Sequence, residues 1–227
     1  MALENIFEKL LELPLFQGMS PNDLNQVVAH TKFGFLKIAR NKAVVSEGDT
    51  CQHIYFLTSG SVKVESRADD GCYSFTEKMT APDVIQPERL FGLTQRYTKS
   101  FTALEECSIL RIDKQQVLRL IAEQEIFRLN LLNIISTQSQ RISHQPWRQP
   151  ATTIRQKIVR FVESRSLRPA GPKTLHIRME DMARLIAESR LNLSRELSKM
   201  HDEGIINITR GEIHIPALEK LIAINNR

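Results

Sequence analysis

Cysteine is scarce in this 227-residue chain and poorly placed for chemistry: Cys51, Cys72 and Cys107 are odd in number, far apart and form no CxxC pair. Structural zinc and iron–sulfur sites gather several thiolates, often at short spacing, so the sequence predicts three isolated thiols in a reducing compartment. The six histidines are scattered as well, with no HExxH or comparable spacing, and no metal site is predicted. No apolar run approaches the ~20 residues that cross a bilayer. The N-terminal MALENIFEKLLELPLF mixes acids into a helical pattern and lacks the basic start and apolar stretch of a secretory signal. These absences predict a cytoplasmic protein with no membrane partner. A P-loop and a nucleophile–base pair at recognisable spacing are also missing, so an enzyme is not predicted.

Charge is present but unevenly spread. Residues 1–145 carry 16 Lys+Arg against 17 Asp+Glu, whereas residues 146–227 carry 15 against 9, which puts the net +5 of the chain into its C-terminal third. A basic segment of this kind is the electrostatic footprint of a phosphate-backbone binder, although many basic faces are merely solvated.

The patterning changes along the chain. Ile6, Leu10 and Leu13 share a helical face, and Ser20-Pro21 is a helix start, with Ser as cap and Pro in the first turn. From about residue 33 to 112 short β-rich runs take over: IYFL at 54–57, VKVES at 62–66, YSFTEKM at 73–79 and SILRI at 108–112. Gly48, Gly60 and Gly71 punctuate them at intervals of twelve and eleven residues, and ADDG at 68–71 reads as a hairpin turn. Short strands at regular spacing predict a barrel or jelly roll. Asp113 opens a helix, with Gln116 three positions on in the capping-box pattern. A longer helix follows over about 125–144, where Leu132, Ile135, Ser139 and Ile142 repeat at 3–4–3 spacing, a coiled-coil-like seam that predicts dimerisation. The alternative is a helix packed on its own domain. SHQPWRQPATT at 143–153 holds two prolines and reads as a hinge.

Residues 175–215 carry the strongest signal. LHI reads as a strand, MEDMARLIA as a helix, and Ser189 starts a second helix, SRLNLSRELSKM. Leu193, Leu197 and Met200 turn inward, leaving Arg190, Leu191, Ser194, Arg195 and Lys199 on the opposite face. Two helices across a short turn, the second basic outside, is helix-turn-helix geometry, and such a second helix enters the major groove by its N-terminal end. Arginine bonds guanine O6 and N7 in pairs, while Ser and Lys hold phosphates. IINIT and EIHI form two strands across Arg210-Gly211, a wing near the phosphate backbone.

On these residues the chain resembles the cyclic AMP receptor protein and fumarate–nitrate regulator (Crp/Fnr) superfamily. The resemblance rests on SEGD…IYFLTSGSVKV, on TALEECSILRID and on MARLIAESRLNLSRELSKMHDEGII followed by RGEIHI, and it covers nearly the whole chain. It implies an α+β fold: a cyclic-nucleotide-binding-like β-roll over 1–124, a dimerisation helix over 125–145 and a winged helix-turn-helix over 146–227. The implied partners are a second copy of the chain and double-stranded DNA with a palindromic operator, with RNA polymerase as a further candidate. Effector binding in the roll is implied to reorient the DNA-binding domains. The rival reading is a ligand-binding module that regulates a protein partner without sequence-specific DNA binding.

Two departures bear on mechanism. Cyclic-AMP-binding members carry a phosphate cassette, with a glycine-containing turn and then an Arg-Ser pair. In the matching stretch, residues 82–103, Gln86-Pro87 replaces the glycine turn, and Pro has no N–H to donate. Glu88 matches the cassette acid, and the Arg-Ser position falls at Tyr97-Thr98 or Lys99-Ser100. The candidate effector set is therefore Glu88, Arg89, Tyr97, Thr98, Lys99, Ser100, Ser139 and Ser143. The resemblance implies a small-molecule effector whose identity the residues leave unassigned, and the cassette argues against cyclic AMP. The N-terminal cysteine group of iron–sulfur members is absent, and haem on a lone His53 or His30 stays open. In the recognition helix, Leu191 stands where the family often has a glutamate that reads cytosine, and leucine cannot accept from cytosine N4. The inter-helix turn holds Ala187-Glu188 instead of the usual glycine.

Overall fold

A computed structural model describes residues 2–225, with side chains from 7 to 224, so Ile6 lies outside the described side chains. The chain divides into two units, residues 1–62 with 79–144, and residues 63–78 with 145–227. The long helix groups with the first unit. Residues 63–78, counted with the sensor in the expected 1–124, 125–145 and 146–227 partition, group with the C-terminal residues instead.

The first unit opens with helices α1 (Ala2–Glu12) and α2 (Pro21–His30), the latter capped by a reciprocal Ser20–Asp23 box. In chain order β1 (Phe33–Ile38), β2 (Ala43–Val45) and β3 (His53–Ser59) follow, then β4 (Ser61–Arg67) and β5 (Tyr73–Thr80), which fall mostly in the second unit, and then β6 (Asp83–Ile85), β7 (Ser100–Ala103) and β8 (Cys107–Asp113) of the first. One antiparallel sheet runs β1-β8-β3-β6, and β2 pairs with β7. Ile54 and Phe56 of β3 pair with Ile112 and Leu110 of β8, and all four are at most 3% exposed, as alternate residues on the inward face of a sheet require. Gly60 joins β3 to β4 at φ +89°, against the Cys107 sulfur and the Glu106 carbonyl, a place with no room for a Cβ. Helix α3 (Lys114–Glu123) starts at Asp113 as expected, but the carboxylate takes the Gln115 N–H at 2.8 Å, a simple N-cap in place of the predicted box with Gln116. Helix α4 (Glu125–His144) turns Phe127 and Leu131 inward, where Phe127 meets Phe16 edge-on at 5.2 Å.

In the second unit, α5 (Ile154–Arg165) begins at a Thr153–Gln156 capping box after the proline-containing segment. Then come β9 (Lys173–Ile177), α6 (Met179–Leu185), α7 (Arg190–Asp202), β10 (Asn207–Thr209), β11 (Glu212–Ile215) and α8 (Leu218–Asn225). The strands run β10-β11-β9-β5-β4, all antiparallel where the register is defined. Ile158, Phe161, Leu175, Met182, Leu193, Leu197, Ile213 and Leu218 form one buried core. Burial of such side chains is worth about 1.5–3 kcal/mol each before conformational entropy is charged against it. Among the described residues no helix is long and apolar enough to cross a membrane.

Candidate nucleic-acid interface

Helix α7 owes its orientation to contacts on its inner side. Leu193, Leu197 and Met200 are fully buried. Arg155 on α5 reaches Glu196 at 2.7 Å and grips Glu203 with two bonds of 2.8 and 2.9 Å. The hydrogen bonds to Glu203 lead in raising the Arg155 pKa above its ordinary value, against the desolvation that would lower it. The turn before α7 is a Schellman motif: the Glu188 N–H donates to the Ala183 carbonyl at 2.9 Å and the Ala187 N–H to that of Arg184 at 3.2 Å. Ala187 takes the left-handed position, φ +53°, that glycine ordinarily fills. Glu188 is accommodated by Lys157, whose ammonium lies 2.7 Å away. That contact accounts for an acidic residue in a turn where the sequence offered no reason for one.

The outer side of α7 is open. Arg190, Leu191, Arg195 and Lys199 are exposed and Ser194 is half-buried. Arg190 approaches Glu180 at 3.3 Å, but both side chains are more than 60% exposed, so the pair is weak and the guanidinium can leave it. Ser189 caps α7 by accepting from the Asn192 N–H at 3.1 Å, and its hydroxyl proton remains a donor for a phosphate oxygen. Arg210 is exposed at the tip between β10 and β11, where Gly211 turns the chain at φ +79°. The Arg155 clamp is invisible in the sequence, because a lone arginine some forty residues before its partners leaves no periodic trace.

On α4 the predicted seam points away from its own unit. Leu132 is 52% and Ile142 71% exposed, Ser139 is exposed and Ile135 half-buried. Large apolar side chains in that state on a helix whose other face is packed are what an interface between copies needs.

The candidate effector residues only partly converge. Gln86, left-handed at φ +37° and buried, accepts the Thr98 N–H at 3.1 Å and donates to the Thr98 hydroxyl at 2.8 Å. It also reaches Glu88 at 3.4 Å, and Gln138 of α4 meets the other Glu88 oxygen at 3.5 Å. Arg89 lies 3.9 Å from Glu88, and its Nε is buried without a hydrogen-bond partner among the described residues. Glu88, Arg89 and Thr98 thus gather around Gln86, while the others go elsewhere. Tyr97 is a core residue: it is 2% exposed and its hydroxyl donates to the His53 carbonyl at 2.9 Å. Burial, aided by a hydrogen bond with Cys51, drives its pKa far above the usual phenol value. Ser100 accepts the Glu47 N–H at 3.0 Å, and Ser143 bonds the Gln140 carbonyl of its own helix at 3.2 Å. Lys99 is half-buried and Ser139 exposed. The sequence marked Gln86 as a departure but not as the centre of this network, and it passed over Gln138, one of many polar residues on α4.

Comparison with known proteins matches residues 35–124 to the cyclic nucleotide-binding domain model and residues 156–224 to the Crp-like helix-turn-helix domain model. The chain is 22% identical over 221 residues to a CRP-like cAMP-activated global transcriptional regulator of Mycobacterium tuberculosis, covering 94% of this chain and 97% of that protein. It is 21% identical over 202 residues to the cyclic AMP receptor protein of Thermus thermophilus, covering 89% and 92%. The crystal structure of Thermus thermophilus catabolite activator protein superposes with a TM-score of 0.51 at 19% identity, covering 93% of this chain and 97% of that one. The sensor domain of the regulator DNR from Pseudomonas aeruginosa gives 0.53 at 21%, covering 67% and 97%. At these identities the superpositions speak to the fold.

Proposed function

The chain belongs to the Crp/Fnr family of transcription regulators, and we propose that it binds DNA as a homodimer, one α7 helix to each half of a palindromic operator. The observation that carries this is the solvent face of α7: Arg190, Leu191, Arg195 and Lys199 stand exposed on a helix clamped from behind. Arg190 and Arg195 are the base readers, Ser189, Ser194, Lys199 and Arg210 hold phosphates, and Leu191 offers an apolar contact suited to a thymine methyl. The open seam Leu132, Ile135, Ser139 and Ile142 supplies the two-fold axis. The cytoplasm is the compartment this activity requires, and contact with RNA polymerase belongs to the same reading.

The effector is proposed to be a small molecule other than cyclic AMP. The support lies at Gln86. A cyclic phosphate needs free donors, yet the Gln86 carboxamide already accepts the Thr98 N–H and spends its own N–H on the Thr98 hydroxyl oxygen. Of the two pairs that can stand at the Arg-Ser position, Tyr97-Thr98 supplies a buried phenol and no cation, and in Lys99-Ser100 the hydroxyl oxygen is taken by the Glu47 N–H.

The test is selection of duplexes from a randomised pool by the full-length protein at moderate salt, with and without cell extract. The expected product is a two-fold motif with half-site centres about 10 base pairs apart. Arg195→Ala should weaken binding by roughly 1–3 kcal/mol and relax preference at one base pair of each half-site. Recovery of no enriched sequence under either condition refutes the proposal.

A further inference from the structure

The reading head contains a piece of chain from far away in the sequence. Strand β5 pairs antiparallel with β9 through five residues, from Tyr73 opposite Ile177 to Glu77 opposite Lys173. Phe75 is 1% exposed and sits in the same core as Leu193 and Leu197, the inward side chains of α7. At the end of the pairing, Lys173 and Glu77 form an ion pair of 2.6 Å with side chains only 2% and 4% exposed. The second Glu77 oxygen accepts the Leu167 N–H at 2.7 Å, and the ammonium also donates to the Ala170 carbonyl at 2.9 Å. At the other end, Arg165 donates to the Tyr73 hydroxyl at 2.7 Å and lies 3.6 Å over the Phe161 ring.

We propose that the β4–β5 hairpin is a working part of the DNA-reading unit and that Glu77 and Lys173 are positioning residues for α7. The proposal rests on the regulator reading above. A winged helix made of residues 145–227 alone has a hole where Phe75 sits and a buried ammonium with no carboxylate. Buried ion pairs are poor sources of net stability but costly to break from one side, and such a pair suits a joint that must close in one register. A one-residue slip of β5 on β9 would send Phe75 to solvent and part the two charges, so the pair and the apolar anchor specify the same alignment.

The experiment compares the full-length wild type with Glu77→Gln and with the double variant Glu77→Gln/Lys173→Met, at a temperature where all are fully folded. Two quantities are read: amide hydrogen exchange over 73–77 and 173–177, and affinity for the duplex that the wild type selects from a randomised pool. Glu77→Gln strands a buried ammonium and should speed exchange in both strands at least about tenfold while leaving β1 and β8 unchanged. Its duplex affinity should fall at least about fivefold. The double variant removes both charges, keeps an acceptor for the Leu167 N–H, and should return both readouts to within about threefold of wild type. Unchanged exchange in Glu77→Gln overturns the latch, and faster exchange at unchanged affinity overturns the positioning role. Failure of the double variant to recover overturns the assignment to this pair. Should Glu77→Gln not fold, Tyr73→Phe, which removes only the acceptor for Arg165, is judged by the same two criteria with about threefold effects expected. If the wild type selects no duplex, the regulator reading fails on its own, and the exchange arm still decides whether the hairpin belongs to the unit.

Discussion

Replacing Ala187 by glycine should stabilise the DNA-binding unit. Ala187 sits at φ +53° in the turn between α6 and α7, where the methyl group crowds the following carbonyl. For an L-residue this conformation costs roughly 1–2 kcal/mol. Glycine avoids that cost but adds freedom to the unfolded chain, worth about 0.5–1 kcal/mol in the opposite direction. Ala187 is exposed, so removing its methyl opens no cavity, and the two hydrogen bonds of the turn are backbone–backbone and survive. The net gain is therefore about 0.5–1 kcal/mol, or roughly 2–8 °C in the melting temperature of a domain of this size. Calorimetry of the full-length protein reads it directly, with Ala187→Val as the counterpart: a β-branched residue in the left-handed region should lower the same transition. A drop in Ala187→Gly, or no difference between the two variants, would refute the claim that this turn is strained.

Three further outcomes are expected. Gly60→Ala should destabilise the β-roll by at least about 2 kcal/mol, because left-handed strain adds to overpacking; its Cβ would lie 2.8 Å from the Cys107 sulfur and 2.9 Å from the Glu106 carbonyl oxygen. Urea unfolding checks this, and a loss under 1 kcal/mol, about half that estimate, counts against the packing described. Leu132→Arg combined with Ile142→Arg should convert the protein to a monomer in sedimentation at micromolar concentration and weaken binding to a two-fold duplex far more than to a half-site; a persisting dimer would move the two-fold axis off α4. Leu191→Glu should shift the selected operator toward cytosine at one base pair per half-site, since a carboxylate accepts from cytosine N4 and leucine does not. An unchanged motif means that Leu191 faces no base.

What could be read from the sequence depended on whether a feature was local. The Leu193, Leu197, Met200 repeat announces the inner face of α7, and the same three side chains are fully buried. Thr153 and Ser189 cap the helices that follow them through contacts three residues on. Asp113 caps α3 where its position in the sequence places it, but its carboxylate takes the second N–H, that of Gln115, so the DKQQ pattern marks the helix start without the reciprocal box. The effector residues were the least legible. Tyr97 and Ser100 carry the right kinds of group for a pocket, but their hydroxyls are committed to His53 and Glu47, some fifty residues away. No pattern along the chain records such a commitment.

The linear code alone determined the succession of elements, the basic C-terminal third and the face that α7 offers to solvent, because period, caps and glycine positions act over a few residues. Only the folded chain decided that Gln86 fills its own cassette, that Arg155 braces the reading helix and that Glu77 completes a unit whose other members begin at residue 145. Those are pairings between groups far apart in sequence. Burial makes them obligatory, since a charge or a polar group withdrawn from water must find its partner wherever the fold brings one.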